Sequence, residues 1–384
     1  MTLFQVMMVA ALLVGGLGVA VLGSVKVPLA KRLLIDEARV GGLVSIFGFV
    51  LIPVILTAGF VTDHVGRQAV FMTGSVLFAA SLVLLAAARK YLAALAAVLL
   101  LGAAWAMLIN VGNVLTPLAF AGDPPNLTRA TNLANVFFGL GAFLTPLAVT
   151  YLVVRRSLTM ALGLLALFSL VPAALALGVD FRVLTTDNAE AAISTDAPGF
   201  GSLLRDPVLW LCGLAMFFYS PLESSLGAWT TTYLGERGVS ERTAPRFLSG
   251  FWLTFMVSRL TAAFLLPGGR ETITLVVLAG TSFAILLAIV TSRGALTASV
   301  LVLAAGVVFG PIFPIIMALL LGHFPVMLHG RAVGLLFALA GIGWTTIPIL
   351  IGAYARRAGV QRGFAFAAGA AAGLTGIALL FTLR

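Results

Sequence analysis

The chain alternates long apolar runs with short polar connections. Charges and Pro/Gly turns separate twelve apolar runs: 3–27, 40–61, 69–88, 92–119, 130–153, 158–178, 207–234, 245–266, 272–291, 295–321, 331–354 and 363–382. Each is close to the roughly 20 apolar residues that a helix needs to cross a bilayer. The pattern therefore predicts an all-α polytopic membrane protein with twelve transmembrane helices. The first run is interpreted as a span and not as a signal peptide, because charges and further spans follow it.

One connection is much longer than the others and divides the spans six and six. It covers residues 179–206, and most of its charges are acidic. We therefore predict an N-terminal six-helix bundle at 1–178, a central cytoplasmic loop at 179–206 and a C-terminal six-helix bundle at 207–384.

An internal repeat supports this division. At a constant offset of 202 positions, span 5 and span 11 share these identities: Arg129/Arg331, Ala130/Ala332, Leu133/Leu335, Gly139/Gly341, Gly141/Gly343 and Pro146/Pro348. The matched helices lie six spans apart and hence run in the same direction, which indicates two pseudo-symmetric halves. We interpret the glycines as close helix contacts and not as a phosphate-binding loop.

Composition narrows the function classes. Hydrophobic residues make up 61% of the chain and charged residues 9%, against about 25% charged in soluble domains. This excludes a soluble enzyme, a nucleic-acid binder and a disordered chain. The net charge of +10 comes from basic residues scattered between apolar runs, where lipid headgroups are their expected partners. The single cysteine, Cys212, and the lack of Cys/His metal spacing or a nucleotide motif predict no metal, no cofactor and no ATP-driven pump.

The connection between spans 2 and 3 carries the most specific motif. Residues 59–68 read GFVTDHVGRQ, with the spacing G-x-x-x-D-x-x-G-R. This resembles the signature loop of the major facilitator superfamily, which implies that Asp63 and Arg67 hold a cytoplasmic gate. Such a lock is strong in a poorly hydrated crevice; the alternative is a tight turn with solvated charges. The second half keeps Gly269 and Arg270 but has no matching acid, which predicts an asymmetric gate.

Further stretches are similar to the fucose–galactose–hexuronate family of sugar:proton symporters. They lie at residues 129–147, 219–229, 309–321 and 330–354. The resemblance implies transport of a sugar by alternating access. Two carboxylates that the family uses for proton coupling are replaced here. Span 1 reads GSVKVP, with Ser24 near the place of the acid and Lys26 added, and span 4 reads GNVLTP, with Gly112 near the place of the acid.

Glu223 is the candidate that remains for ligand binding and ion coupling. It lies mid-way along span 7, and an ionisable group at that depth costs roughly 2.5–3.5 kcal/mol on insertion scales. Tyr219, Glu223 and Gly227 share one helical face at i, i+4 and i+8, which would present a phenol, a carboxylate and a gap to a cavity. Trp229 and Trp344 are the aromatic candidates for stacking on a sugar. The alternative is a structural Glu hydrogen-bonded to a neighbouring helix.

Lys26 decides between two coupling hypotheses. If it reaches Glu223, the carboxylate stays ionised, and facilitated diffusion or sodium coupling is favoured. If Lys26, close to the end of span 1, snorkels to the headgroups, Glu223 can titrate and couple protons. We favour the second case.

Four asparagines form a second polar cluster. Asn110 and Asn113 share a face of span 4, and Asn132 and Asn135 share a face of span 5. Amides suit neutral hydroxyl ligands, and in lipid they also join helices; both interpretations stay open. In the family that the chain resembles, polar positions of span 5 contribute to the sugar site, and Asn135 falls on one of them.

Three arginines complete the gating candidates. Arg129 and Arg331 open the repeated helices. Arg259 lies within span 8, where a gate, an anion site in the cavity and snorkelling to the cytoplasmic surface are alternatives.

The predicted function is secondary active transport of a sugar or similar small polar solute, coupled to protons or sodium, by a monomer in a prokaryotic inner membrane. The alternatives are an exporter of amphipathic compounds with the same fold, and a non-transporting membrane sensor or assembly protein. The superfamily plan places both termini in the cytoplasm. Seven Lys and Arg residues then lie inside and fourteen outside, although the positive-inside rule prefers the reverse.

Overall fold

The computed structural model describes residues 1–35, 37–123, 125–181, 200–240 and 243–383. The regular elements in these ranges are helices. The first six long helices are α1 (Leu3–Leu33), α2 (Glu37–Val65), α3 (Arg67–Ala87), α4 (Tyr91–Phe120), α5 (Leu127–Arg155) and α6 (Leu158–Ala176). A short helix, Phe200–Arg205, precedes the second six. These are α7 (Pro207–Glu236), α8 (Ala244–Leu265), α9 (Glu271–Thr291), α10 (Ala295–His323), α11 (Val326–Ala358) and α12 (Val360–Thr382).

Ten of these helices are long and apolar enough to cross a membrane by length and composition. The other two are α2 and α7, of 29 and 30 residues. The predicted fold class, an all-α membrane protein with twelve transmembrane helices, is confirmed.

Prolines lie inside several helices without ending them. At Pro28, the first helix continues beyond the predicted end of the first span. Helix α1 continues through Pro28 to Leu33 and carries Lys31 and Arg32 in its last turn. The helix therefore extends beyond residue 27, where the first apolar run was predicted to end, and about two helical turns follow Lys26. The depth of Lys26 in the membrane stays a prediction. Within a membrane a proline is tolerated when neighbouring groups satisfy the carbonyl that it leaves free.

The chain divides into two compact units. Unit 1 comprises Met1–Gly122, Ala134–Gly199 and Phe324–Ala338, and unit 2 comprises Asp123–Leu133, Phe200–His323 and Leu339–Arg384. Each unit thus takes one segment from the other half of the sequence. Unit 2 contains the first turns of α5, and unit 1 contains the first turns of α11.

Two glycines of the internal repeat mark close helix approaches, one in each unit. In unit 1, a Cβ added to Gly141 of α5 would lie 2.1 Å from the carbonyl oxygen of Leu13 on α1. In unit 2, a Cβ added to Gly343 of α11 would lie 2.0 Å from the carbonyl oxygen of Phe217 on α7. The interpretation of these two glycines as close helix contacts is confirmed, because only a residue without a side chain fits there.

Candidate functional site

Tyr219 and Glu223 are joined on one face of α7. The Tyr219 hydroxyl lies 3.1 Å from Oε2 of Glu223 and 3.1 Å from the carbonyl oxygen of Phe309 on α10. The i, i+4 spacing predicted the shared face. Tyr219 is 1% exposed, whereas Glu223 is half-buried. The phenol is therefore the more buried member of this pair, and it bonds Glu223 to the backbone of α10.

Arg259 of α8 supplies the positive charge of this cluster. It is 5% exposed, its Nε donates to the carbonyl oxygen of Gly310 over 2.8 Å, and its guanidinium carbon lies 4.2 Å from the centroid of the Phe255 ring. Its charge acts on both Tyr219 and Glu223. Snorkelling of Arg259 to the surface was the wrong alternative, because α10 offers a carbonyl acceptor and α8 an aromatic face.

The acceptors for Arg259 and Tyr219 come from a break in α10. This helix is interrupted between Phe309 and Ile312. Pro314 has no N–H to pair with the carbonyl of Gly310, four residues earlier, so the Arg259 guanidinium takes that place. A Cβ added to Gly310 would lie 2.5 Å from the carbonyl oxygen of Phe255, so glycine is needed for α8 and α10 to meet here. Sequence reasoning missed this role, although two prolines in one apolar span were its signal.

A second face of α7 is bonded to α11. The Ser224 hydroxyl donates to the carbonyl oxygen of Trp344 over 2.9 Å, an acceptor that Pro348 leaves free because it has no N–H. Trp229 donates its indole N–H to the carbonyl oxygen of Pro348 over 3.2 Å. The Trp344 side chain is 40% exposed. The indole N–H of Trp229 is thus engaged within the protein, and solute contact by either tryptophan stays a prediction.

The gap expected at Gly227 is bordered by an indole. A Cβ added to Gly227 would lie 3.2 Å from Cζ2 of Trp252 on α8. On the predicted face Tyr219 is buried against α10, whereas Glu223 and Gly227 are half-buried, and a gap at Gly227 stays a prediction.

The asparagines of α4 differ in their contacts. Asn110 is fully buried. Its Nδ2 donates to the carbonyl oxygen of Gly330 on α11 over 2.9 Å, and its Oδ1 accepts from the Thr62 hydroxyl over 3.3 Å. These bonds favour helix joining over ligand contact for Asn110. Asn113 is half-buried and donates to the carbonyl oxygen of Ile109 on its own helix over 2.8 Å.

The asparagines of α5 are assigned to different units. Asn132 falls in unit 2 and Asn135 in unit 1. Asn132 is fully buried and donates to the carbonyl oxygen of Thr128 over 2.8 Å, and among the described residues its Oδ1 has no hydrogen-bond partner. Asn135 is half-buried. Solute contact by these amides stays a prediction.

The first turns of α11 carry one gating candidate. The Arg331 guanidinium lies 5.5 Å from the centroid of the Phe60 ring on α2. Arg67 donates from Nη2 to the carbonyl oxygen of Val326 over 3.2 Å. The side chain of Asp63 lies outside the described residues, so the predicted lock with Asp63 stays a prediction.

The first turns of α5 carry the matching candidate in unit 2. The Arg129 guanidinium lies 5.6 Å from the centroid of the Phe264 ring on α8, beside a cavity of about 520 Å³ that Asp123 and Asn126 also line. One position earlier, the Thr128 hydroxyl donates to Oε1 of Glu271 at the start of α9 over 2.9 Å. Sequence reasoning missed Glu271, because the motif places its acid before the glycine–arginine pair and not after it.

Lys26 and the side chains that could hold a metal ion are the remaining groups considered in the sequence analysis. Lys26 is half-buried in unit 1, and its pairing with Glu223 of unit 2 stays a prediction. Among the described residues, no group of three or more His, Cys, Asp or Glu side chains is placed to hold a metal ion.

The model of the Major Facilitator Superfamily matches residues 8–348. The chain belongs to this superfamily. Three solved structures share its fold over almost the whole chain. A crystal structure of the E. coli fucose:proton symporter has a TM-score of 0.81 at 16% identity and covers 98% of both chains. A proton:xylose symporter has a TM-score of 0.78 at 14% identity, covering 99% of this chain and 94% of that one. The human organic anion transporter MFSD10 has a TM-score of 0.74 at 18% identity, covering 98% of both chains.

One relative is similar in sequence over part of its length. The Saccharomyces cerevisiae "bypass of stop codon protein 6" is 29% identical over 186 residues, which are 46% of this chain and 37% of the yeast protein. The match thus spans little more than a third of the yeast relative. The family model and the apolar helices together show that this chain is an integral membrane protein of a transporter superfamily.

Proposed function

We propose that this protein is a secondary active transporter that moves a sugar or a similar small polar solute by alternating access, in symport with protons. The observation that carries the proposal is the cluster of Tyr219, Glu223 and Arg259. A carboxylate at membrane depth is costly and marks an ion or solute pathway. Glu223 is a half-buried residue beside Tyr219 and Arg259, and a carboxylate can bind a proton or accept hydrogen bonds from a ligand.

The chemistry of the cluster supports a neutral, hydroxylated solute. The negative charge of ionised Glu223 is balanced by Arg259 on the neighbouring helix, so this pair has no net charge that would favour a charged solute over a neutral one. The free carboxylate oxygen accepts hydrogen bonds, which sugar hydroxyls can donate. The names of the fucose:proton and proton:xylose symporters agree with this solute class. In this proposal both termini lie in the cytoplasm, and the first turns of α5 and α11 belong to the cytoplasmic gate.

The test is uptake into proteoliposomes with a panel of sugars and amphipathic compounds, with and without imposed pH and sodium gradients. We expect one or more sugars to accumulate with a pH gradient, and Glu223→Gln to abolish accumulation while the protein still inserts. Glu236→Gln is the matched control. This carboxylate lies at the end of the same helix and accepts from the backbone N–H groups of Val360 and Gln361, one at each oxygen. A glutamine oxygen can keep one of these two bonds.

Three outcomes contradict the proposal. Normal gradient-driven uptake in Glu223→Gln contradicts the role of Glu223. Stimulation by sodium alone contradicts proton coupling. Movement of amphipathic compounds without any sugar favours the exporter.

A further inference from the structure

The Tyr219 hydroxyl has two acceptors and one proton. Glu223 Oε2 and the carbonyl oxygen of Phe309 both lie 3.1 Å from it. A phenol donates one hydrogen bond, so it can serve only one of the two acceptors at a time. The oxygen of the phenol can also accept hydrogen bonds through its two lone pairs. The Arg259 guanidinium, which also faces this hydroxyl, can donate one, whereas an ionised carboxylate has none to donate.

The protonation state of Glu223 decides which acceptor Tyr219 serves. When Glu223 is ionised, the charged carboxylate is the stronger acceptor, and Tyr219 donates to it. When Glu223 takes up a proton, its carboxylic acid donates to the Tyr219 oxygen. The phenolic hydrogen then turns to the carbonyl of Phe309, and no covalent bond of Tyr219 is formed or broken.

Phe309 lies where α10 is most easily altered. The regular helix ends at Phe309 and resumes at Ile312. Pro311 and Pro314 each remove one backbone N–H from this part of the helix. The adjacent carbonyl, that of Gly310, is already bonded to Arg259. One additional hydrogen bond at Phe309 therefore acts on a segment with few backbone bonds of its own.

We propose that Tyr219 transmits the protonation of Glu223 to the break in α10, so that proton uptake tightens the Phe309–Ile312 segment. The proposal rests on the proposed function, because it takes Glu223 as the proton-binding group. It makes Tyr219 a positioning residue, and it assigns the discontinuity of α10 to ion coupling.

Within unit 2, few ionisable groups other than Glu223 itself lie near the proposed relay from Glu223 through Tyr219 to α10. Arg259 on α8 is the charged group that faces it. The sequences of α10 from Ala295 to Leu321, of α11 from Leu339 to Ala353 and of α12 from Ala365 to Thr382 contain no ionisable side chain. Tyr354, Arg356 and Arg357 lie in the last turns of α11. Arg246, His323 and Arg362 lie at the ends of the helices packed on α7.

A tyrosine on the same helix provides a matched control. Tyr233 is also fully buried, and its hydroxyl bonds to Ser292 Oγ over 2.6 Å and to the carbonyl oxygen of Ile289 over 3.3 Å. Tyr233→Phe removes the same atom as Tyr219→Phe, but Tyr233 lies fourteen residues further along α7 and ten residues beyond Glu223.

The direct test is amide hydrogen exchange of peptides that cover residues 309–316, measured against pH in purified protein and corrected for the intrinsic exchange rate. In the unmodified protein and in Tyr233→Phe, protection should rise about two- to tenfold as pH falls, the range that one net hydrogen bond supplies. Glu223→Gln should be protected at every pH, because its amide donates to Tyr219 as the protonated acid does. Tyr219→Phe should show no pH dependence. The proposal is overturned if Tyr219→Phe keeps the pH-dependent protection of these amides from hydrogen exchange.

Transport separates this inference from the proposed function. Tyr219→Phe should lower pH-driven accumulation by up to about tenfold. Tyr233→Phe should change accumulation and solute counterflow by less than about twofold, the range expected where the removed bond contributes little. If Glu223→Gln is uncoupled while Tyr219→Phe accumulates solute normally, the relay fails and the proposed function stands. If Tyr219→Phe does not fold, the comparison of the unmodified protein with Glu223→Gln decides, and absence of any pH-dependent protection in the unmodified protein overturns the relay.

Discussion

The first turns of α5 and α11 derive from the same repeat but are held by different chemistry. Both place an arginine over a phenylalanine, Arg129 on Phe264 and Arg331 on Phe60, at 5.6 and 5.5 Å from the ring centroid. The polar contacts around these pairs are not repeated.

In unit 1 the start of α11 is held by close backbone approach and an amide. A Cβ added to Gly59 would lie 2.5 Å from the carbonyl oxygen of Gly330, and the same oxygen accepts from Asn110. In unit 2 the start of α5 is held by a hydrogen bond between two side chains. Thr128 donates to the carboxylate of Glu271, next to an open cavity.

The difference shows what the duplication has kept. The cation–aromatic contact tolerates small shifts of the helices, so it survives in both units. Hydrogen bonds need closer geometry, and they have been rebuilt from different residues. The acid of the second unit follows the glycine–arginine pair, as Glu271, whereas in the first half Asp63 precedes it.

The largest effect is expected from Gly59→Val. The added side chain collides with the backbone of α11 and should lower the free energy of unfolding by about 1–3 kcal/mol or more. Thermal unfolding in detergent measures it. Gly42→Val on the same helix is the control, because a Cβ at Gly42 meets no atom within 4 Å. Equal losses in the two variants would show that the approach to Gly330 is not tight.

Asn110→Leu should have the next largest effect. It leaves the buried carbonyl of Gly330 without its amide donor, at a cost of about 1–3 kcal/mol. Asn113→Leu is the matched variant, because Asn113 bonds only within α4 among the contacts described here, and it should lose clearly less stability. A loss at Asn113 as large as that at Asn110 would contradict the role of Asn110 as a helix-joining residue.

Arg129→Gln and Arg331→Gln test what the two regions share. Each should lose about 0.5–1 kcal/mol of cation–aromatic attraction, and the two losses should be similar. Arg155→Gln serves for comparison, since Arg155 is exposed and lies 5.9 Å from the Tyr151 ring. If only one of the two variants, Arg129→Gln or Arg331→Gln, loses more stability than Arg155→Gln, the cation–aromatic contact is not equivalent in the two units.

Glu271→Gln should give the smallest effect. The amide oxygen still accepts from Thr128, so only the charge assistance is lost, about 0.5–1 kcal/mol. Combining it with Thr128→Val forms a double-mutant cycle, and the coupling free energy between the two positions should differ from zero. Strictly additive losses would mean that this hydrogen bond contributes nothing to the unit.

The repeat and the local periodicity could be predicted from the sequence because both act over short distances. Twelve apolar runs predict twelve helices, since a bilayer requires every backbone group to be paired inside its own segment. The spacing of Tyr219 and Glu223 places them on one face for the same local reason. The repeated glycines predicted close contacts, which Gly141 and Gly343 make.

Tertiary structure alone decided which distant groups complete the site. Arg259 and Gly310 are 51 positions apart, and Asn110 and Gly330 are 220 apart. A proline shows in the sequence that a carbonyl is free, but only helix packing shows which donor reaches it. Packing also placed the Tyr219 hydroxyl beside the carbonyl oxygen of Phe309, because the cost of an unpaired polar group in an apolar interior is removed only when a partner is in place.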